Sequence, residues 1–204
     1  MMAFLYAGLI ASILNITIIP IIIIIASRRG WFDTINARKI HTGQIPRLGG
    51  IGIFWSFALT LIFISLVSKG SAKDALTYWP VGAGMLMVHL IGLVDDFRDV
   101  RARYKLLVQI VAATLVVVAG YRFRTLFLPG LGEVSLGLLS YPLTMFWIVG
   151  VINAINMIDG MDGLSGGISI IGAFALGVIL LEGGLRPATI AAIALVGSLA
   201  GSLF

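Results

Sequence analysis

Cysteine does not occur in the sequence, which excludes disulfide staples, thiolate zinc sites and mechanisms built on a cysteine nucleophile. Charge is scarce as well, at 11% of the 204 residues against about 25% in ordinary soluble domains. With 59% of residues hydrophobic, a water-soluble domain would have nowhere to hide its apolar surface. A soluble enzyme, a disordered tail and a secreted disulfide scaffold are thereby excluded. The mean hydropathy of +1.08 points instead to a polytopic membrane protein. The formal charge of +5, from 14 Lys and Arg against 9 Asp and Glu, reports loop topology in such a protein rather than nucleic-acid binding.

Seven apolar runs predict seven membrane-crossing helices, at Ala3–Ala26, Leu48–Val67, Tyr78–Val94, Leu106–Tyr121, Leu138–Ile158, Gly167–Leu181 and Ala188–Phe204. The first carries no charge and ends in Ser27-Arg28-Arg29, a stop-transfer flank rather than a cleavage site. The expected fold class is therefore an all-α integral membrane helical bundle, read as one domain over residues 1–204. Glycine pairs such as Gly166/Gly167 and Gly197/Gly201 are assigned to close helix packing. His89, inside an apolar helix with no patterned partner, is read as a packing residue.

Seven crossings sort the loops onto two faces. The first and third loops hold Arg28, Arg29, Arg38, Lys39, Arg47, Arg98, Arg101, Arg103 and Lys105, nine cations; the opposite face holds five, Lys69, Lys73, Arg122, Arg124 and Arg186. That bias places the first, third and fifth loops in the cytoplasm and the N-terminus outside. The same face receives Asp33, Asp95, Asp96, Asp99, Asp159 and Asp162, six of the nine acids. Acidic residues hardly influence insertion, so their gathering asks for a chemical reason. A transporter would spread its acids through the bilayer depth.

Three segments carry candidate chemistry. Asp95 and Asp96 are adjacent carboxylates at the end of an apolar helix, suited to a hard divalent cation or to proton transfer, or else a solvated helix end. In the fifth loop Asn153, Asn156, Asp159 and Asp162 recur every third residue, with Gly160 and Gly163 releasing the chain from the helix. Capping the next helix needs one such residue, not four, so an oxygen-ligand metal or a polar nucleotide site is the stronger reading. In the first loop, Arg38, Lys39, His41 and Arg47 with Gly49-Gly50 suit a pyrophosphate, or else report positive-inside topology and a turn.

Together these segments resemble the polyprenyl-phosphate N-acetylhexosamine-1-phosphate transferase superfamily (glycosyltransferase family 4). The shared residues are Arg38-Lys39-x-His41 with Ile45-Pro46-Arg47-x-Gly49-Gly50, Gly92-x-x-Asp95-Asp96 with Tyr104-Lys105-x-x-x-Gln109, and Asn153-Ala-x-Asn156-x-x-Asp159-Gly160-x-Asp162-Gly163-Leu164. The first-loop form is more similar to the undecaprenyl-phosphate GlcNAc-1-phosphate branch than to the phospho-MurNAc-pentapeptide branch. Prolines common in the family are replaced by Ile35 and Gln44. Family members have ten or eleven spans and carry further Asp- and His-bearing motifs beyond the segment resembling Gly197–Phe204. The resemblance therefore implies an N-terminal fragment or truncated product, inactive by itself; the alternative is a non-catalytic, degenerate membrane relative of the same family.

The implied reaction transfers N-acetylhexosamine-1-phosphate from a UDP-sugar to undecaprenyl or another polyprenyl phosphate at the cytoplasmic face of the cell membrane, releasing UMP and initiating envelope glycan synthesis. The implied cofactor is Mg²⁺ or Mn²⁺, which would offset the repulsion between two phosphate-bearing substrates. The implied partners are UDP-N-acetylhexosamine, polyprenyl phosphate and the bilayer, with no nucleic acid. By the same resemblance Asp95 is the base for the lipid phosphate with Asp96 beside it, and Asp159 and Asp162 complete the catalytic set. Asn156 and Asp159 hold the metal. Arg101, Arg103 and Lys105 hold the lipid headgroup, Arg38, Lys39, His41 and Arg47 support the nucleotide, and Asn153 supports the substrate-binding helix end. A covalent phospho-aspartate route stands beside direct transfer.

Overall fold

Where no water reaches the backbone, each N–H and C=O must bond within its own segment, so long runs of Leu, Ile, Val, Ala and Phe wind into helices. The structure, a computed structural model, describes residues 2–31, 49–67, 77–158 and 164–203. Among them are seven α-helices: α1 (Met2–Arg29), α2 (Gly49–Val67), α3 (Trp79–Arg98), α4 (Ala102–Val118), α5 (Ser140–Ile158), α6 (Leu164–Glu182) and α7 (Arg186–Gly201). Five, namely α1, α2, α3, α5 and α6, are long and apolar enough to cross a bilayer. α4 and α7 are shorter, at 17 and 16 residues. The fold is that of a helical, multi-pass membrane protein.

The all-α membrane bundle holds, with one short hairpin added to it. Strands β1 (Thr125–Leu128) and β2 (Gly132–Ser135) pair antiparallel between α4 and α5. Pro129 and Gly130 occupy the centre of a turn closed by the Leu131 N–H on the Leu128 carbonyl at 3.0 Å. Gly130 takes φ +87°, which a type II turn requires at its third position. A 3-10 turn, Gly137–Leu139, leads into α5.

The chain divides into two compact units. The first, Met1–Gly70 with Asn156–Phe204, has its core where α7 lies against α1, α2 and α6. Small residues let the backbones touch there: a Cβ on Gly197 would overlap the backbone of Gly8, and one on Gly201 would come within 2.7 Å of the Ser12 carbonyl. Asn15, fully buried in α1, donates from Nδ2 to the Ser198 carbonyl at 2.5 Å. Gly166 and Gly167 make no such close approach.

The second unit, Ser71–Ile155, sets α4 antiparallel to both α3 and α5. At one end the Tyr121 hydroxyl donates to the Thr77 carbonyl at 2.9 Å, and the Phe123 N–H donates to Thr144 Oγ1 at 3.0 Å. At the other end α3 turns into α4 through Asp99, Val100 and Arg101. Side chains bridge the helices at that end, and these are the residues singled out from the sequence.

Candidate active site

The end of α3 is built around Asp95. Asp99 adopts the left-handed conformation (φ 38°, ψ 70°), the only non-glycine residue with positive φ among those described, and aspartate tolerates that region better than most side chains. Its N–H returns to the Asp95 carbonyl at 3.2 Å, which closes the helix. The next N–H, of Val100, bonds at 2.9 Å to Asp95 Oδ1 rather than to main chain. Asp95 Oδ2 accepts from Lys105 Nζ. Both carboxylate oxygens are therefore engaged, although the two side chains keep 28% of their surface exposed.

Charge at these helix ends runs against the helix dipole. Asp95 and Asp96 occupy the last turn of α3, where the dipole end is negative; Arg103 and Lys105 sit in the first turn of α4 beside Arg101 at its N-cap, where the end is positive. Each misplaced charge is unfavourable by about 0.3–1 kcal/mol. The Asp95–Lys105 pair offsets part of this by setting opposite charges together. What the arrangement gains is a cationic rim at the start of α4, with Arg101 and Arg103 exposed and Lys105 partly so.

The sequence runs placed these charges in a loop, but the helices reach further. α3 continues four residues past Val94 and α4 starts four residues before Leu106, because terminal turns at an interface can carry charged side chains outward. Arg101 and Arg103 are exposed, and Arg103 is occupied locally: its guanidinium lies 4.9 Å from the Tyr104 ring centroid and donates to the Tyr104 hydroxyl at 3.3 Å. Asp96 is half-buried.

One turn along α4 from Lys105, the buried Gln109 ties α4 to α5. Asn153 Nδ2 donates to Gln109 Oε1 at 2.7 Å and to the Val149 carbonyl at 2.8 Å. Gln109 closes the Tyr104-Lys105-x-x-x-Gln109 motif, and the spacing of four residues from Lys105 puts both on one helix face. Asn156 is exposed on the final turn of α5. Arg38, Lys39, His41, Arg47, Asp159 and Asp162 lie outside the described residues. Among the described residues no group of three His, Asp or Glu side chains is placed to hold a metal.

Fold and site define a class: a multi-pass helical membrane protein with paired carboxylate, ammonium and amide groups at one end of its α3–α4–α5 bundle. Residues 78–204 match glycosyl transferase family 4, and the chain belongs to that family. It is 36% identical over 197 residues, 96% of its own length, to the probable undecaprenyl-phosphate N-acetylglucosaminyl 1-phosphate transferase of Bacillus subtilis (strain 168), covering 53% of that relative. To the undecaprenyl-phosphate alpha-N-acetylglucosaminyl 1-phosphate transferase of Yersinia pestis it is 32% identical over 162 residues, 78% of this chain and 42% of that protein. The enzyme of the same name in Escherichia coli (strain K12) is 31% identical, over 76% of this chain and 41% of its own. The chain spans about half the length of these curated relatives or less.

Proposed function

We propose that the full-length protein transfers GlcNAc-1-phosphate from UDP-GlcNAc to undecaprenyl phosphate at the cytoplasmic membrane face and releases UMP. The relatives, undecaprenyl-phosphate N-acetylglucosaminyl 1-phosphate transferases by name, support the transferase and its lipid acceptor. The observation that carries the reading is the ion pair of Asp95 with Lys105 across the α3–α4 turn.

Lys105 neutralises Asp95 while no substrate is present. A polyprenyl phosphate arriving at the α4 rim brings more negative charge than one carboxylate, and the flexible ammonium moves to it. Arg101 and Arg103 hold the same headgroup. Asp95, released on Oδ2 and still fixed by the Val100 N–H, then accepts the phosphate's second proton, an easy transfer since that pKa is about 6. The freed phosphate oxygen attacks the sugar-bearing phosphorus of the UDP-sugar, the bond to the UMP oxygen breaks, and a lipid pyrophosphate results. Asn153, held by Gln109, fixes the last turns of α5, which present Asn156. In this reading Arg38, Lys39, His41 and Arg47 bind the nucleotide and Asp159 and Asp162 complete the polar end.

The donor chemistry fits a hard divalent cation at Asn156, whose exposed amide oxygen is of the class Mg²⁺ takes, together with Asp159. Asp95, with both oxygens engaged, is not a ligand in this arrangement. Mg²⁺ or Mn²⁺ there supplies neutralisation of charge on the pyrophosphate. The test is full-length protein in vesicles with undecaprenyl phosphate and a panel of UDP-N-acetylhexosamines. UMP release that needs lipid phosphate and stops with EDTA is expected; no UMP from any donor would overturn the activity.

A further inference from the structure

The end of the second unit remote from Asp95 carries a surface the transferase chemistry does not use. α4 rises about 1.5 Å per residue, so its 17 residues cover about 25 Å, whereas the hydrocarbon core of a bilayer is about 30 Å thick. Arg101, Arg103 and Lys105 hold its first turn at one headgroup layer. Val118 therefore does not clear the opposite edge of the core, and the β1–β2 hairpin starts in the far headgroup layer rather than in bulk water. Aromatic rings gather at this level, Tyr78 with Tyr121 and Phe123 with Trp147, each pair 6.1 Å between centroids. Such rings favour a membrane–water boundary.

The hairpin's own surface has the two chemistries of a phospholipid. Phe127 is 73% exposed, Leu131 at the turn 76% and Leu138 just beyond β2 86%, a set that water would penalise in a two-stranded hairpin already marginal by itself. The register pairs Phe127 with Glu133, the only acid between Ala119 and Leu139. Ahead of β1 the Arg122 guanidinium lies 3.9 Å from the Tyr141 ring centroid, and its Nε is buried with no hydrogen-bond acceptor among the described residues. Arg124 is exposed. Phe146 and Trp147, two turns into the spanning helix α5, are exposed as well.

We infer that the β1–β2 hairpin is a lipid anchor: Phe127, Leu131 and Leu138 enter the acyl boundary of the leaflet opposite Asp95, and Arg122 binds a phospholipid phosphate. This rests on the spanning helices and not on the transferase reading.

No cysteine occurs in the chain, so a single introduced thiol reports its own position once any cysteine elsewhere in the full-length protein is replaced. Phe127→Cys and Leu131→Cys, each labelled with an NBD fluorophore, are compared in vesicles of phosphatidylcholine and phosphatidylglycerol. Nitroxide on the acyl chain near the headgroup should quench both labels several-fold more than aqueous iodide does. Adding Arg122→Gln should reduce the nitroxide quenching and raise that by iodide. Dominant iodide quenching would put the hairpin in water and overturn the anchor. Protection from both quenchers would mean that protein covers it, a second copy included, and would overturn it equally. Unchanged quenching on Arg122→Gln would overturn the phosphate contact.

Discussion

Lys105 reaches back across the three-residue turn between α3 and α4 and places its ammonium on the carboxylate of Asp95. The pair is half-exposed, so its own contribution to stability is small, of the order of 1 kcal/mol or less. Its value lies in being exchangeable, because a phosphate can take the cation and leave the carboxylate ready to act as a base.

Asp95→Asn keeps the shape and the acceptor for Val100 but loses the base. UMP release by the full-length protein is expected to fall about 10²- to 10⁴-fold, the range a general base contributes, with the protein still inserted in membranes. Turnover near that of the wild type in a vesicle assay would remove Asp95 from the proton transfer.

Lys105→Ala should raise the KM for undecaprenyl phosphate while leaving the KM for the UDP-sugar close to its original value. Lys105→Arg restores the charge and should recover part of the loss. Equal effects on both substrates would show that Lys105 maintains the site as a whole rather than holding the lipid headgroup.

Gln109→Leu strands the Asn153 amide on the Val149 carbonyl alone. Interhelical side-chain hydrogen bonds in membranes contribute about 0.5–2 kcal/mol, so a modest drop in thermal midpoint in detergent is expected. Asn153→Leu alone should do the same, and the double variant should cost less than the two together, since one bond is lost once. Strict additivity would show that the two amides do not act as a pair.

Gly197→Ala and Gly167→Ala should differ in sign. A Cβ at Gly197 meets the backbone of Gly8, so α1 and α7 must part, whereas at Gly167 no atom lies within 4 Å. The first should lower the thermal midpoint, and the second should leave it unchanged or raise it, as alanine favours helix over glycine by about 1 kcal/mol. Matching shifts would mean that α7 does not pack on α1 through Gly197.

The helices were legible because apolar runs in a chain this poor in charge have one way to satisfy their backbones. Their ends were not: Arg101, Arg103 and Lys105 fall outside the apolar runs because they are charged, yet an interface lets a terminal turn hold such side chains. The hairpin was missed because Leu126, Phe127, Leu128 and Leu131 look like connection between spans, although Pro129-Gly130 marks a turn. Asn15, a lone amide in an uncharged run, gave no periodic signal, and only the fold shows it bonded to the Ser198 carbonyl. In the candidate site, residue types were readable from the motifs, while the pairing of Lys105 with Asp95 and of Gln109 with Asn153 depends on how α4 lies between its neighbours.

The brevity of α4 also bears on where the protein works best. A helix of about 25 Å flanked by α3 and α5, of 20 and 19 residues, obliges the surrounding bilayer to thin or the helices to tilt. Thicker, sterol-like or long-chain lipids would pull its two polar rims toward each other's apolar territory, so turnover should track acyl-chain length even though no reacting atom touches those chains.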